Sequence, residues 1–182
     1  MITIGIIIGS TRPGRVAPQV ANWFYKEARQ SQAAHFELID IRDFNLPLLD
    51  EDRPAKVSKE HTKKWSATID RLDGFVFVTA EHNNSFPASL KNAIDYLNSE
   101  WSYKPVAYVA YGFALGHRAV QALRPIAAQF HQYDLRETVH IQLDGSDTVP
   151  ILDKHTTQAK EVIQSIAFWS EQMKVARQKL AS

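Results

Sequence analysis

Hydrophobic residues recur along this chain in two alternating rhythms, short apolar runs that end at turn residues and longer segments with apolar positions three and four apart. The first run, Ile2 to Gly9, is rich in isoleucine and stops at Gly-Ser-Thr-Arg-Pro-Gly, the form of a strand buried on both faces and ended by a turn. Val16, Val20, Trp23 and Phe24 then share one face of a helix. Phe36 to Ile41 alternates as a second strand, and Asp43 to Pro54, with prolines at 47 and 54, reads as an irregular surface loop. Ser58 to Leu72 is mixed and charged, an exposed helix, before Asp73-Gly74 turns the chain into Phe75-Val76-Phe77-Val78-Thr79. Pro87 suits the first turn of a third helix carrying Leu90, Ala93, Ile94 and Leu97 at helical spacing. Pro105 to Ala110 is a fourth strand, and His117 to Phe130 a helix that Pro125 should bend or restart. Val139 to Leu143 is the expected fifth strand, and Val162, Ile166, Trp169 and Met173 mark one stripe of a closing helix of about twenty residues.

Strands alternating with helices at this spacing imply a parallel sheet covered on both faces, a doubly wound α/β fold, expected to form a single domain over residues 1–182. In such sheets ligands sit beyond the carboxyl ends of the strands, where strand order reverses. The segments after strands one, three and four therefore carry the search for function.

Composition narrows that search more than it directs it. The chain has 45% hydrophobic and 23% charged residues, ordinary for a globular protein, and a net charge of +1 from 21 basic and 20 acidic residues. No broad field draws nucleic acid or an anionic membrane, so any anion site must be local. The absence of cysteine removes disulfides, thiolate metal sites, iron–sulfur clusters and cysteine nucleophiles, and fits a cytoplasmic setting. No apolar run approaches a membrane span, and Ile2 to Ile8 lacks the flanks of a signal peptide. The seven histidines form no H-E-x-x-H arrangement and no G-x-S-x-G elbow occurs, so no metal ligands and no serine nucleophile are expected. The four tryptophans read as core or interface residues.

After strand one, Gly9-Ser10-Thr11-Arg12-Pro13-Gly14-Arg15 leads into the first helix. Backbone N–H groups at a helix start, two hydroxyls and two guanidinium groups can converge on one phosphate, although a plain turn with solvated arginines has the same composition. Arg15-Val16 stands where a triphosphate loop needs Lys and Ser or Thr, and there is no G-x-G-x-x-G, so neither a nucleoside triphosphate nor a Rossmann dinucleotide crossing is indicated. After strand three, Ala80-Glu81-His82-Asn83-Asn84-Ser85-Phe86-Pro87 could read the edge of a flat heteroaromatic ring, or could be a loop of Asx turns with a helix cap. After strand four, the glycines of Tyr111-Gly112-Phe113-Ala114-Leu115-Gly116 let backbone approach a ligand closely, as glycines in many strand-to-helix turns do.

Taken together, the three segments resemble the NADPH-dependent FMN reductase family, which includes quinone, azo-dye and chromate reductases. Gly9 to Arg15 resembles its phosphate loop, and Glu81-His82-Asn83 followed by Pro87 and Leu90-Lys91-Asn92-Ala93-Ile94-Asp95 resembles its P-E-Y-N and L-K-N-A-x-D signature, over roughly residues 2 to 145. The resemblance implies a three-layer flavodoxin-like fold with a five-stranded parallel sheet of order 2-1-3-4-5 and non-covalent FMN across the ends of strands one, three and four. Ser10, Arg12 and Arg15, with the amides around Val16, would hold the phosphate. Glu81, His82 and Asn83 would line the isoalloxazine, and Tyr111 with Gly112 would close its other edge. Ala80 and His82 replace the family's usual proline and tyrosine.

The implied reaction is hydride transfer from NADPH (or NADH) to FMN and onward to a quinone, free flavin or similar small acceptor. Orientation of two rings suffices for it, so no residue is nominated as catalytic. A homodimer or homotetramer is expected. The runner-up is a flavodoxin-like electron carrier without nicotinamide turnover, against which Arg12, Arg15 and the near-neutral charge speak. A regulatory module that has lost flavin is the third reading.

Overall fold

The computed structural model describes residues 1–52, 56–145 and 152–181. Its elements are β1 (Thr3–Ile8), α1 (Ala17–Ala28), β2 (His35–Asp40), α2 (Glu60–Asp70), β3 (Gly74–Ala80), α3 (Ala88–Asp95), β4 (Pro105–Gly112), α4 (His117–Gln129), β5 (Tyr133–Gln142) and α5 (Thr156–Ala181). The strands form one parallel sheet of order β2-β1-β3-β4-β5, as the family resemblance implies.

The isoleucines of β1 explain the layering, because successive side chains in a strand point to opposite faces. Ile4, Ile6 and Ile8 pack against α1 and α5 with Val76, Val78 and Val109. Ile7 packs against α2, α3 and α4 with Phe75, Phe77 and Tyr108. On that second face the indoles of Trp65 and Trp101 are buried and donate to the carbonyls of Ala93 and Ile94 at 2.8 and 3.1 Å, which makes both core residues.

Three expectations need correction. β5 starts at Tyr133, well before Val139, because it is an edge strand whose first half buries only Leu135 and whose register against β4 shifts between Val106 and Tyr108, so apolar alternation is weak there. α4 runs unbroken through Pro125, whose ring lies on the exposed face, as does Gln121, the residue whose carbonyl loses its donor. α5 extends to 26 residues because its polar end is anchored, Lys174 and Arg177 meeting the carboxylate of buried Asp73 at 3.0 and 2.9 Å. Irregular chain follows β2 as expected, with a short 3₁₀ turn at Ile41–Phe44, while Pro54 lies outside the described residues.

The amino ends of the strands hold the main buried charges of the frame. Besides Asp73, which also accepts the Thr3 N–H at 3.0 Å, Lys104 is buried and its Nζ donates to the carbonyls of Ile69 and Asp70 at 3.1 and 2.8 Å, closing the end of α2. Burial pushes the Lys104 pKa down to about 8. The unfolded chain therefore binds the extra proton from about pH 8 to the ordinary lysine value of 10.5, so this residue makes folding more favourable as pH rises through that window. Urea unfolding of the wild type and of Lys104→Met from pH 7.5 to 9.5 should show the wild type gaining relative to the variant above pH 8, by at most about 1.4 kcal/mol per pH unit. A stability difference that stays flat across the range contradicts this account.

Candidate functional site

The sheet's topological switch lies between β1 and β3, since the chain leaves β1 toward β2 and returns on the other side. The turn after β1 starts there, its Gly9 N–H donating to the Val78 carbonyl of β3 at 3.0 Å. Ser10 is buried, and Gly14 takes a positive φ of 65° that suits glycine. No side chain caps α1, and Pro18 in its first turn has no N–H to satisfy. Among the described residues, the backbone N–H groups of Ser10, Thr11, Arg12, Gly14 and Val16 have no protein acceptor. A run of free donors at the positive end of a helix is an anion cradle.

The two arginines of this turn are not equivalent. Arg15 donates to the Ser10 carbonyl at 2.6 Å and to both carboxylate oxygens of Asp40, at the end of β2, at 2.7 and 2.5 Å. Its charge is neutralised and its fork filled, so it holds the turn against the sheet. Arg12 is exposed and makes no ion pair among the described residues. It acts electrostatically on His82 and Tyr111, which places its charge between the first turn and the other two loops.

The loop after β3 is a four-residue reversal. His82 and Ser85 exchange backbone hydrogen bonds of 2.8 and 3.0 Å, and Asn83 and Asn84 between them have φ of 47° and 65°. Two successive left-handed residues make a type I′ turn, which Asn tolerates better than other side chains. His82 is half-buried, and burial, then the Arg12 charge, push its pKa below the ordinary histidine value, so it is neutral near pH 7. Ser89 in α3 donates its hydroxyl to the Gly9 carbonyl at 2.8 Å, tying this segment to the first turn.

The loop after β4 is braced against the loop after β3 by Glu81. Its N–H donates to the Tyr111 carbonyl at 2.9 Å, and its carboxylate accepts from the Arg118 backbone N–H at 3.1 Å and guanidinium at 2.9 Å. That carboxylate is turned onto the start of α4, with a side chain only 8% exposed. Gly112 permits the contact, because a Cβ there would lie 3.0 Å from that of Glu81. Tyr111 is buried, and burial pushes its phenol pKa up, against the opposing charges of Arg12 and Arg15.

The structure thus gathers Ser10, Arg12, the Val16 amide, His82, Asn83, Tyr111 and Gly112 at the carboxyl edge of β1, β3 and β4, and commits Arg15 and Glu81 to the frame. Asp40, Ser89 and Arg118 complete the site and were not foreseen, since each acts on a partner 25 to 80 residues away. Among the described residues no cluster of three or more His, Asp or Glu could hold a metal, and no helix is long and apolar enough to cross a membrane. What remains available is a local cation with free amides, on the same sheet edge as an imidazole, a side-chain amide and glycine backbone. That set suits a phosphomonoester joined to a flat polar ring.

Comparison with known proteins agrees with this geometry. The family described as NADPH-dependent FMN reductase matches residues 2–146. An NAD(P)H-dependent FMN reductase of Nectria sp. is 42% identical over 128 residues, covering 65% of this chain and 64% of the relative. A quinone reductase of Pseudomonas putida is 36% identical over 132 residues, covering 66% of this chain and 69% of the relative. The chain thus aligns with under two thirds of the Nectria relative's length. Among solved structures, FerB, a flavoenzyme NAD(P)H:(acceptor) oxidoreductase from Paracoccus denitrificans, superposes with a TM-score of 0.75 at 20% identity, covering 95% of this chain and 99% of that one, a likeness of flavodoxin-like fold.

The β4–α4 turn leaves no room for a side chain at Gly116, where φ is 71° and a Cβ would lie 2.7 Å from both the Ala110 Cβ and the Tyr111 nitrogen. Gly116→Ala should cost about 2 kcal/mol or more in urea unfolding. A cost below about 0.5 kcal/mol, the level of an ordinary surface change, contradicts the constraint.

Proposed function

The chain belongs to the NADPH-dependent FMN reductase family, and from that membership we propose that it binds FMN non-covalently and reduces it with a nicotinamide nucleotide, passing electrons to a quinone-like acceptor. The observation that carries the proposal is the β1–α1 turn, where, among the described residues, a run of amides without a protein acceptor stands with the unpaired guanidinium of Arg12 beside the loops after β3 and β4. The residues present fit FMN: the turn offers donors and a cation without a competing carboxylate, because Asp40 is spent on Arg15. When bound, FMN supplies the hydride acceptor and the electron donor of the reaction.

The chain's own residues bind and orient. Ser10, Arg12 and the amides through Val16 hold the phosphate. The neutral His82 and the Asn83 turn meet the ring from one loop, and Tyr111 with Gly112 from the other. Glu81 and Arg118 tie those two loops together, which would help to orient a ring held between them. Arg15 acts at one remove, keeping the turn's donors aimed by its hold on Asp40. No side chain is required to move a proton. The names of the relatives, an FMN reductase and a quinone reductase, support a quinone-like acceptor.

A visible absorption spectrum after FMN loading tests the proposal. Retained flavin that bleaches on mixing with NADPH and recovers with quinone supports it, while colourless protein that leaves NADPH unoxidised overturns it. Arg12→Ala should weaken FMN binding about 10- to 100-fold in fluorescence titration while leaving unfolding unchanged. Arg15→Ala should lower thermal stability as well as affinity, since it strips a partner from Asp40. Equal and purely ligand-side effects from both variants would contradict the division of roles.

A further inference from the structure

We propose that the cavity bordered by Thr11 of the β1–α1 turn and by Arg42 takes the 2′-phosphorylated ribose of NADPH. This assignment rests on the reductase reading given above and extends it to the choice between the two nicotinamide cofactors. The cavity has a volume of about 200 Å³ and lies between Thr11, the turn that follows β2 and the first turns of α3. That space is below the size of sites that enclose a whole drug-sized ligand, and suits a fragment such as a sugar phosphate.

Its walls select the charge. Among the described residues, Arg42 lines it and makes no ion pair, and no carboxylate lines it. A cation would find no counter-charge there, whereas an anion would. Donors surround the same space: the Thr11 hydroxyl, the Asn45 side-chain amide and, at the uncapped start of α3, the Ser89 N–H, none of which has a protein acceptor among the described residues. Asn45 sits at a positive φ of 46°, which Asn accepts more readily than most residues. Arginine's fork matches phosphate oxygens better than an ammonium would.

The remaining walls suit a sugar rather than a bare phosphate ion. The Ser89 hydroxyl spends its proton on the Gly9 carbonyl, which leaves its oxygen to accept from a ribose hydroxyl. Ile41 and Leu46 give an apolar side for the sugar carbons or a base. The back wall is built in advance, because the Asn92 amide is fixed by the Leu49 N–H at 2.9 Å and the Pro47 carbonyl at 2.6 Å. Thr11 stands between Ser10 and Arg12, so the two phosphate sites share one turn. An NADH cofactor has no group that needs the second site.

The test uses FMN-saturated protein titrated with 2′-AMP and with 5′-AMP, followed by calorimetry and by amide NMR. Tighter binding of 2′-AMP by about tenfold, with shifts at Thr11, Asn45 and Ser89, is expected. Arg42→Ala should remove that preference, leave FMN affinity unchanged and raise KM for NADPH about tenfold with little change for NADH. Equal affinity for the two nucleotides, or an Arg42→Ala protein that still prefers 2′-AMP, overturns the assignment. Failure of the reductase reading is told apart by Arg12→Ala without FMN, in which 2′-AMP should still bind. Conversely, an enzyme that reduces flavin while ignoring the 2′-phosphate sinks only the cavity assignment.

Discussion

The ion pair between Arg15 and Asp40 decides what the β1–α1 turn can offer a ligand. It is largely removed from water, bidentate, and supplemented by the Ser10 carbonyl, so the donors of the guanidinium are matched where desolvation would otherwise penalise the pair. By consuming Asp40 it takes from this edge the carboxylate that would repel a phosphate or capture Arg12. By fixing Arg15 to the end of β2 it holds the turn open, with its amides pointing at no protein group. Everything inferred about the two phosphate sites follows from that division, one arginine tied into the frame and two, Arg12 and Arg42, left with unspent charge.

Around that anchor the loops are fastened to one another as well as to the sheet beneath. Gly9 is held to Val78 and to Ser89, and Glu81 to Tyr111 and Arg118, so the turns after β1, β3 and β4 behave as one assembly. Each bond is individually modest. Their joint effect is preorganisation, which lowers the ordering cost that ligand binding would otherwise carry and suits a reaction governed by the stacking of rings.

Stability and function occupy opposite ends of the sheet. At the amino ends, Asp73 with Lys174 and Arg177, and Lys104 with the end of α2, fasten α5 and α2 to the strands. These charges lie at the end of the sheet opposite the three loops. Changes there act on folding, while changes at the carboxyl ends act first on binding, which lets the two be measured apart.

The sequence by itself determined the alternation of strands and helices, the parallel sheet, the three loops that matter and the family, because each is a local pattern of apolar spacing, turn residues or motif. His82, Asn83 and Arg12 were singled out as candidates by the same kind of local pattern. Tertiary structure alone decided that Arg15 serves Asp40 and Glu81 serves Arg118, since such pairings depend on which distant strand end or helix start lies opposite, and equal residue types in one turn carry no mark of their partners. It also decided where β5 begins and how far α5 runs. An edge strand with one paired side needs little apolar alternation, and a helix end anchored by an ion pair to Asp73 needs no apolar stripe.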